Sequence, residues 1–253
     1  MSDFPPPPPF NLTPPPGYVT YGGTGAASGH LRRTKGLAKW LVVLLTIGML
    51  VQIATILVQL TLRDSARRFI EDNLTKAQFD DKIAIFLFVG ILASIAAIAQ
   101  VVIMIIWTFR LAKNHRVLDR QPQAFAPGAT IAVNILGGCT LGILNYFMWR
   151  ELWKASDPEI AAGDPSWKQR AVTPLITIYL ALSLGGIAAG IAGGVRQFGG
   201  FRTSSNAADL AKDLADQIAV LSLSGVLTAV AAVVFIMFVR QLSARHVKAT
   251  GET

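Results

Sequence analysis

Apolar runs separated by short polar segments dominate the chain. Four of them, residues 40–62, 83–109, 174–195 and 218–239, contain no Asp, Glu, Lys or Arg. At a rise of about 1.5 Å per residue, each is long enough to cross a hydrocarbon core of about 30 Å as a helix. The pattern therefore predicts an all-α, polytopic integral membrane bundle. In the first run Gln52 and Gln59, seven apart with Thr55 between them, are placed to hydrogen-bond with neighbouring helices, and the second run carries a single Gln, Gln100.

A fifth run, 125–147, is different in kind. Pro127, Gly128, Asn134, Gly137, Gly138, Gly142 and Asn145 lower its helix propensity and its hydrophobicity together. Two architectures follow: four spanning helices around a re-entrant or bent third apolar segment, or five spanning helices. Charge separates them. If 125–147 returns to the side it came from, fifteen Lys and Arg fall on the side of the N-terminus: four before Trp40, eight in 110–171 and three after Val239. The other side then holds five in 63–82 and three in 196–212. A five-span chain would hold nearly equal numbers on the two sides, so the positive-inside rule favours four crossings with both termini cytoplasmic.

The flanks complete the organisation. Residues 1–36 begin with two proline clusters and continue rich in Gly, Ser and Thr. Such a segment buries too little apolar surface to offset its ordering entropy and is expected to be a disordered cytoplasmic tail. It is either a solubilising tail or a docking strand for a protein partner. Residues 37–246 form the membrane domain and 247–253 a flexible C-terminus. Residues 63–82, with Phe69, Ile70, Leu74 and Phe79 among charges, are expected to lie as an amphipathic helix on the membrane surface. Ser204-Ser205-Asn206 offers a helix cap before 207–216.

Composition narrows the classes. The chain is 52% hydrophobic and 15% charged, too few charges to clothe a soluble domain. Its net charge of +8 is spread over the ends of apolar runs as anchors and topology determinants, so no nucleic-acid footprint is expected. The single cysteine, Cys139, forms no intramolecular disulfide. His30, His115 and His246 stand in different flanking segments, and neither a metal site nor a cofactor is expected. No arrangement of nucleophile, acid and base suggests catalysis, so the chain is expected not to be an enzyme.

The patterned polar residues cluster at two helix ends. Arg110 and Asn114, one turn apart, share a face where the second span ends. They read either as an interfacial arginine with a helix-end residue, or as half of a clip in which Arg110 pairs with Glu151. Trp149 and Trp153, four apart, and Trp167 further on read as interfacial aromatic anchors. Asp157-Pro158 and Asp164-Pro165 read as helix starts. Gly186, Gly190 and Gly194 form a small-residue row for close helix packing, within the chain or in a homo-oligomer.

Arg110 and Asn114 after a span, a Gly- and Pro-broken apolar stretch, and then Trp149-Arg150-Glu151-Leu152-Trp153-Lys154-Ala155-Ser156-Asp157-Pro158 resemble the bacterial membrane proteins grouped as domain of unknown function 4328. Gly138 and Asn145 stand where that pattern has prolines. The resemblance implies a helical membrane fold and a bacterial inner-membrane location, and it brings no activity. Uncharged spans, small-residue rows and a long tail point to a non-enzymatic membrane scaffold or regulatory subunit that contacts membrane lipids. A small-solute transporter or channel component, using the broken third segment, is the alternative.

Overall fold

The computed structural model describes residues 30–203 and 207–252, and every regular element in them is helical. The proline clusters of the N-terminal tail and the 204–206 cap lie outside the described residues. Four helices are long and apolar enough to cross a membrane: α1 (Lys35–Ile70), α2 (Lys76–Val117), α5 (Pro174–Thr203) and α6 (Ala207–Thr250). They form a row in the order α2, α1, α6, α5, each antiparallel to its neighbour. The even number of crossings brings the start of α1 and the end of α6 to one end of the bundle, here called the terminal end.

The segment between α2 and α5 does not make a fifth long helix. It forms α3 (Pro127–Ile135) and α4 (Ile143–Ala155), too short to cross. The break falls where Leu141 and Gly142 take positive φ, +51° and +76°, a conformation that glycine adopts without strain. Gly137 is needed for a second reason: a Cβ there would come within 2.7 Å of Asn145 Oδ1. Ala124 and Phe125, just before α3, donate their amides to Glu151 near the end of α4, so the two helices run antiparallel as a hairpin. Its tip exposes Ile135, Leu136, Leu141 and Ile143. A Cβ added at Gly142 would lie 4.0 Å from Leu180 Cδ1, and Leu180 is about 9 Å along α5 from Pro174. The hairpin thus fills the space between α2 and α5 at the terminal end and reaches about 9 Å along α5. Four long apolar helices with a short hairpin between the second and third fit the four-span alternative.

Polar side chains within the row serve helix contacts. Gln100 donates to the carbonyl of Leu44 at 2.9 Å, in space left by Gly48. Ser224 donates to the carbonyl of Gly186 at 2.7 Å, and Gly190 leaves room for the same hydroxyl. The glycine row therefore packs α5 on α6 of the same chain; the surroundings of Gly194 lie outside the described residues. Gln52 packs at Gly225. Thr55 bonds within its own helix, to Val51, and the buried Gln59 Oε1 has no partner among the described residues.

Two expectations about connectors are corrected. Residues 63–82 make no separate surface helix, because nothing breaks α1 before Ile70. Leu62 and Ala66 keep the helical period and bury against Ala211, Ala215 and Ile218 of α6. The chain turns only at Asp72, with φ +58°, and α2 then opens on a reciprocal cap between Thr75 and Gln78. At the other extreme, α6 continues to Thr250, and Glu252 is fixed rather than loose. Its carboxylate accepts hydrogen bonds from the amides of Thr34 and Lys35 and from the Thr34 hydroxyl, all at about 3 Å, and so caps α1.

Candidate functional site

The densest polar structure is at the terminal end, built from residues that close the helices. Asn114 and His115 lie in the last turn of α2, Ser156 follows the last residue of α4, and His246 lies one turn before the end of α6. All four are at most 1% exposed. Asn114 holds the backbone of Arg32 from both sides: the Arg32 amide donates to Oδ1 at 2.7 Å, and Nδ2 donates to the Arg32 carbonyl at 2.8 Å. This pairing fixes which end of the amide is which.

The rest of the chain of bonds follows from that orientation. Asn114 Nδ2 also donates to His246 Nε2 at 3.0 Å, so in the neutral ring the proton resides on Nδ1. His246 Nδ1 then donates to Ser156 Oγ at 3.2 Å, leaving the hydroxyl proton for His115 Nε2 at 3.0 Å. The two imidazoles stand edge to face with centroids 5.3 Å apart. Three helix ends and the root of the N-terminal tail are thereby joined by one directional relay.

Beside it lies an ionic layer. Asp157, buried, accepts from Arg170 and pairs with Arg245 at 3.0 Å, while Arg170 also reaches Glu159. Burial pushes the Asp157 carboxyl up, but the bonds from Arg170 and the Glu159 amide and the charge of Arg245 outweigh it and hold the group below the usual carboxylate range. Arg245 also lies over the Trp153 ring, 4.6 Å from its centroid. Arg120, 1% exposed, donates to the carbonyls of Asp157, Ile160 and Ala161 and so folds the loop after α4 around itself.

The residues singled out in the sequence meet different partners from those expected. Arg110 donates to the carbonyl of Arg33 at 3.0 Å and Glu151 holds the amides before α3; no ion pair joins them among the described residues. Glu151 is still a clip, but it ties the hairpin to itself. Burial raises its pKa, against the amides of Phe125 and Ala124 and the charge of Lys168. Trp149, Trp153 and Trp167 are not interfacial anchors: they are 5%, 7% and 2% exposed. Trp149 packs on Tyr179 and Phe235, and Trp153 stacks on Phe238 while donating to the Ala171 carbonyl. The hairpin needs apolar bulk to seat it against α5 and α6, and the rings of Trp149 and Trp153 supply it. Asp164 caps a 3-10 turn at Pro165–Gln169 as expected, whereas Asp157 begins no helix and serves the ionic layer.

No signal in the sequence brings His115 and His246 together, since they close different helices. The pair provides two imidazoles, and among the described residues no group of three His, Cys, Asp or Glu converges as a metal site. In the hairpin, Asn134 donates to Thr108 at 2.9 Å and accepts from Asn145 at 3.3 Å, while the buried Asn145 Oδ1 has no hydrogen-bond partner among the described residues.

Four apolar crossing helices, a short helical hairpin inserted from one end and a polar layer that locks the helix termini define a polytopic helical membrane protein. The chain belongs to the family described as Domain of unknown function (DUF4328), which it matches over residues 71–244. No curated protein and no solved structure matches it. The family match begins after α1, so the contacts of Arg32, Thr34 and Glu252 lie beyond it.

Proposed function

We propose that the protein is a non-enzymatic membrane scaffold or regulatory subunit that presents its N-terminal tail to a protein partner from a fixed root. The observation that carries this reading is the double grip on that root, Asn114 on Arg32 and Glu252 on Thr34. A tail used only for solubility gains nothing from being held by the ends of α2 and α6. The distribution of Lys and Arg supports a cytoplasmic N-terminus, and the family resemblance supports a bacterial inner membrane. Ser156 between two imidazoles has the composition of a nucleophilic site. Its complete burial with both histidines keeps substrate from reaching it, which supports a structural role.

The test compares the full chain with one lacking residues 1–29, a deletion that spares Arg32 and Thr34. Cross-linking in native membranes is expected to capture a specific protein partner through the full chain and to lose it on deletion, with thermal unfolding unchanged. A transporter is the second reading, favoured by the broken hairpin and its Asn134–Asn145 contact. Solute flux in proteoliposomes that Asn134→Leu with Asn145→Leu abolishes would establish it and remove the scaffold.

A further inference from the structure

The terminal end also carries an open basic cavity of about 330 Å³ between the start of α1 and the end of α2. It is lined by Arg33, Lys35, Lys39 and Arg110, with Leu37 and Glu252. None of the four cations forms an ion pair among the described residues. The one carboxylate present, Glu252, is occupied with the amides of Thr34 and Lys35. Glu252 offsets one of the four positive charges, so the lining keeps an excess of three. Arg110 is no free snorkelling side chain, since its guanidinium is held on the Arg33 carbonyl and so kept at the cavity wall.

The level of the cavity identifies what would fill it. Lys39 immediately precedes Trp40, which begins the apolar run of α1 and is 64% exposed. Arg110 immediately follows Phe109, which ends the apolar run of α2. Both polar-to-apolar boundaries meet at this one site. In the next turns into the layer, Val43 and Ile47 of α1 and Val102 and Ile106 of α2 are exposed apolar residues. A soluble anion would use the charges and leave the apolar faces untouched, whereas an anionic phospholipid matches both.

We propose that this cavity is a binding site for the phosphate headgroup of an anionic glycerophospholipid, with the acyl chains along the outer faces of α1 and α2. The site depends on the membrane fold and not on the scaffold reading, and its test involves neither the tail nor a protein partner. Basic pockets between helices at the membrane boundary hold such headgroups by charge and hydrogen bonding.

The experiment places the full chain in nanodiscs of phosphatidylcholine with a small fraction of phosphatidylglycerol and counts retained lipids by native mass spectrometry. The wild type is expected to retain about one phosphatidylglycerol in preference to phosphatidylcholine. Arg33→Gln with Lys35→Gln and Lys39→Gln, all exposed, should weaken retention by about a hundredfold, at roughly fivefold per charge removed. Arg67→Gln with Arg68→Gln and Lys82→Gln, an equal charge loss at the opposite end, should leave it unchanged. Lys39→Glu alone, which disturbs the fold least, should weaken it by about tenfold or more. Equal losses from the two triple variants, or no lipid preference in the wild type, would overturn the proposal. Displacement of the retained lipid by millimolar inorganic phosphate would also overturn it, by making a free anion the ligand; persistence of the lipid would support it.

Discussion

At the scale of single residues, Asn114 is the position on which most depends. Its amide completes a peptide-like pair with Arg32 and orients His246, using three hydrogen bonds in a site that excludes water. Asn114→Ala is expected to cost about 2–3 kcal/mol, at about 1 kcal/mol per lost bond. Arg32→Ala, which leaves the backbone in place, should change stability by less than about 0.5 kcal/mol. Chemical unfolding in detergent separates the two, and equal effects would show that the Arg32 side chain matters instead. Asp157 gives a pH dependence. Its folded pKa lies below the ordinary value of about 3.9, so its contribution is complete above that value and lost as pH falls through the folded one. Asp157→Asn should unfold more readily at neutral pH, by about 3 kcal/mol for leaving Arg170 and Arg245 without their partner. It should also lose less stability than the wild type on acidification below about pH 4. Asn114 was legible in the sequence as a polar residue at a helix end. Its partner was not, because His246 is 132 residues away.

At the scale of elements, the glycines distinguish close packing from mere permissiveness. At Gly186 a Cβ would already sit 3.2 Å from Thr228 Oγ1, so Gly186→Leu must push α5 away from α6 and break the Ser224 bond. A loss of about 2 kcal/mol is expected, as for overpacked cores. Gly90→Ala meets nothing within 4 Å and should be neutral or stabilising by up to about 1 kcal/mol. A thermal-stability series reads both, and a silent Gly186→Leu would reject the packing account. The glycine row was visible as a four-residue spacing, but whether it served an intramolecular or intermolecular contact was not. The tryptophans are ambiguous in sequence for a related reason: an aromatic at the end of an apolar run is equally suited to lipid headgroups and to a hairpin packed beside it, and here they are buried. The hairpin itself is legible as a weak point, since Gly and Pro at that density lower helix propensity, but a bent spanning helix has the same signature.

For the whole molecule, the row of four crossings predicts that Ala161 and Asn73 lie on opposite sides of the membrane. In a Cys139→Ala background, a cysteine at Ala161 should be shielded from an impermeant thiol reagent in intact cells and labelled after lysis. A cysteine at Asn73 should be labelled from outside. Labelling of both from the same side would reject the four-span fold, while exchanged accessibility would reverse only the orientation. The cap that Glu252 places on α1 joins the two extremes of the membrane domain, which makes the tail root a property of the assembled bundle.

The sequence by itself determined what the solvent decides: that the chain crosses a bilayer, which four runs make the long helices, and that the third apolar stretch is broken. These follow from local hydrophobicity, charge and backbone propensity, all of which act within a few turns. The structure then chose between the four-span and five-span alternatives. Only the tertiary structure decided the partners of the buried polar groups. Asn114 with Arg32 and His246, Ser156 with two imidazoles, Asp157 with two arginines and Glu252 with the start of α1 are choices among distant segments. A buried polar group must find a partner, but the chemistry of its own side chain does not say which segment will supply it.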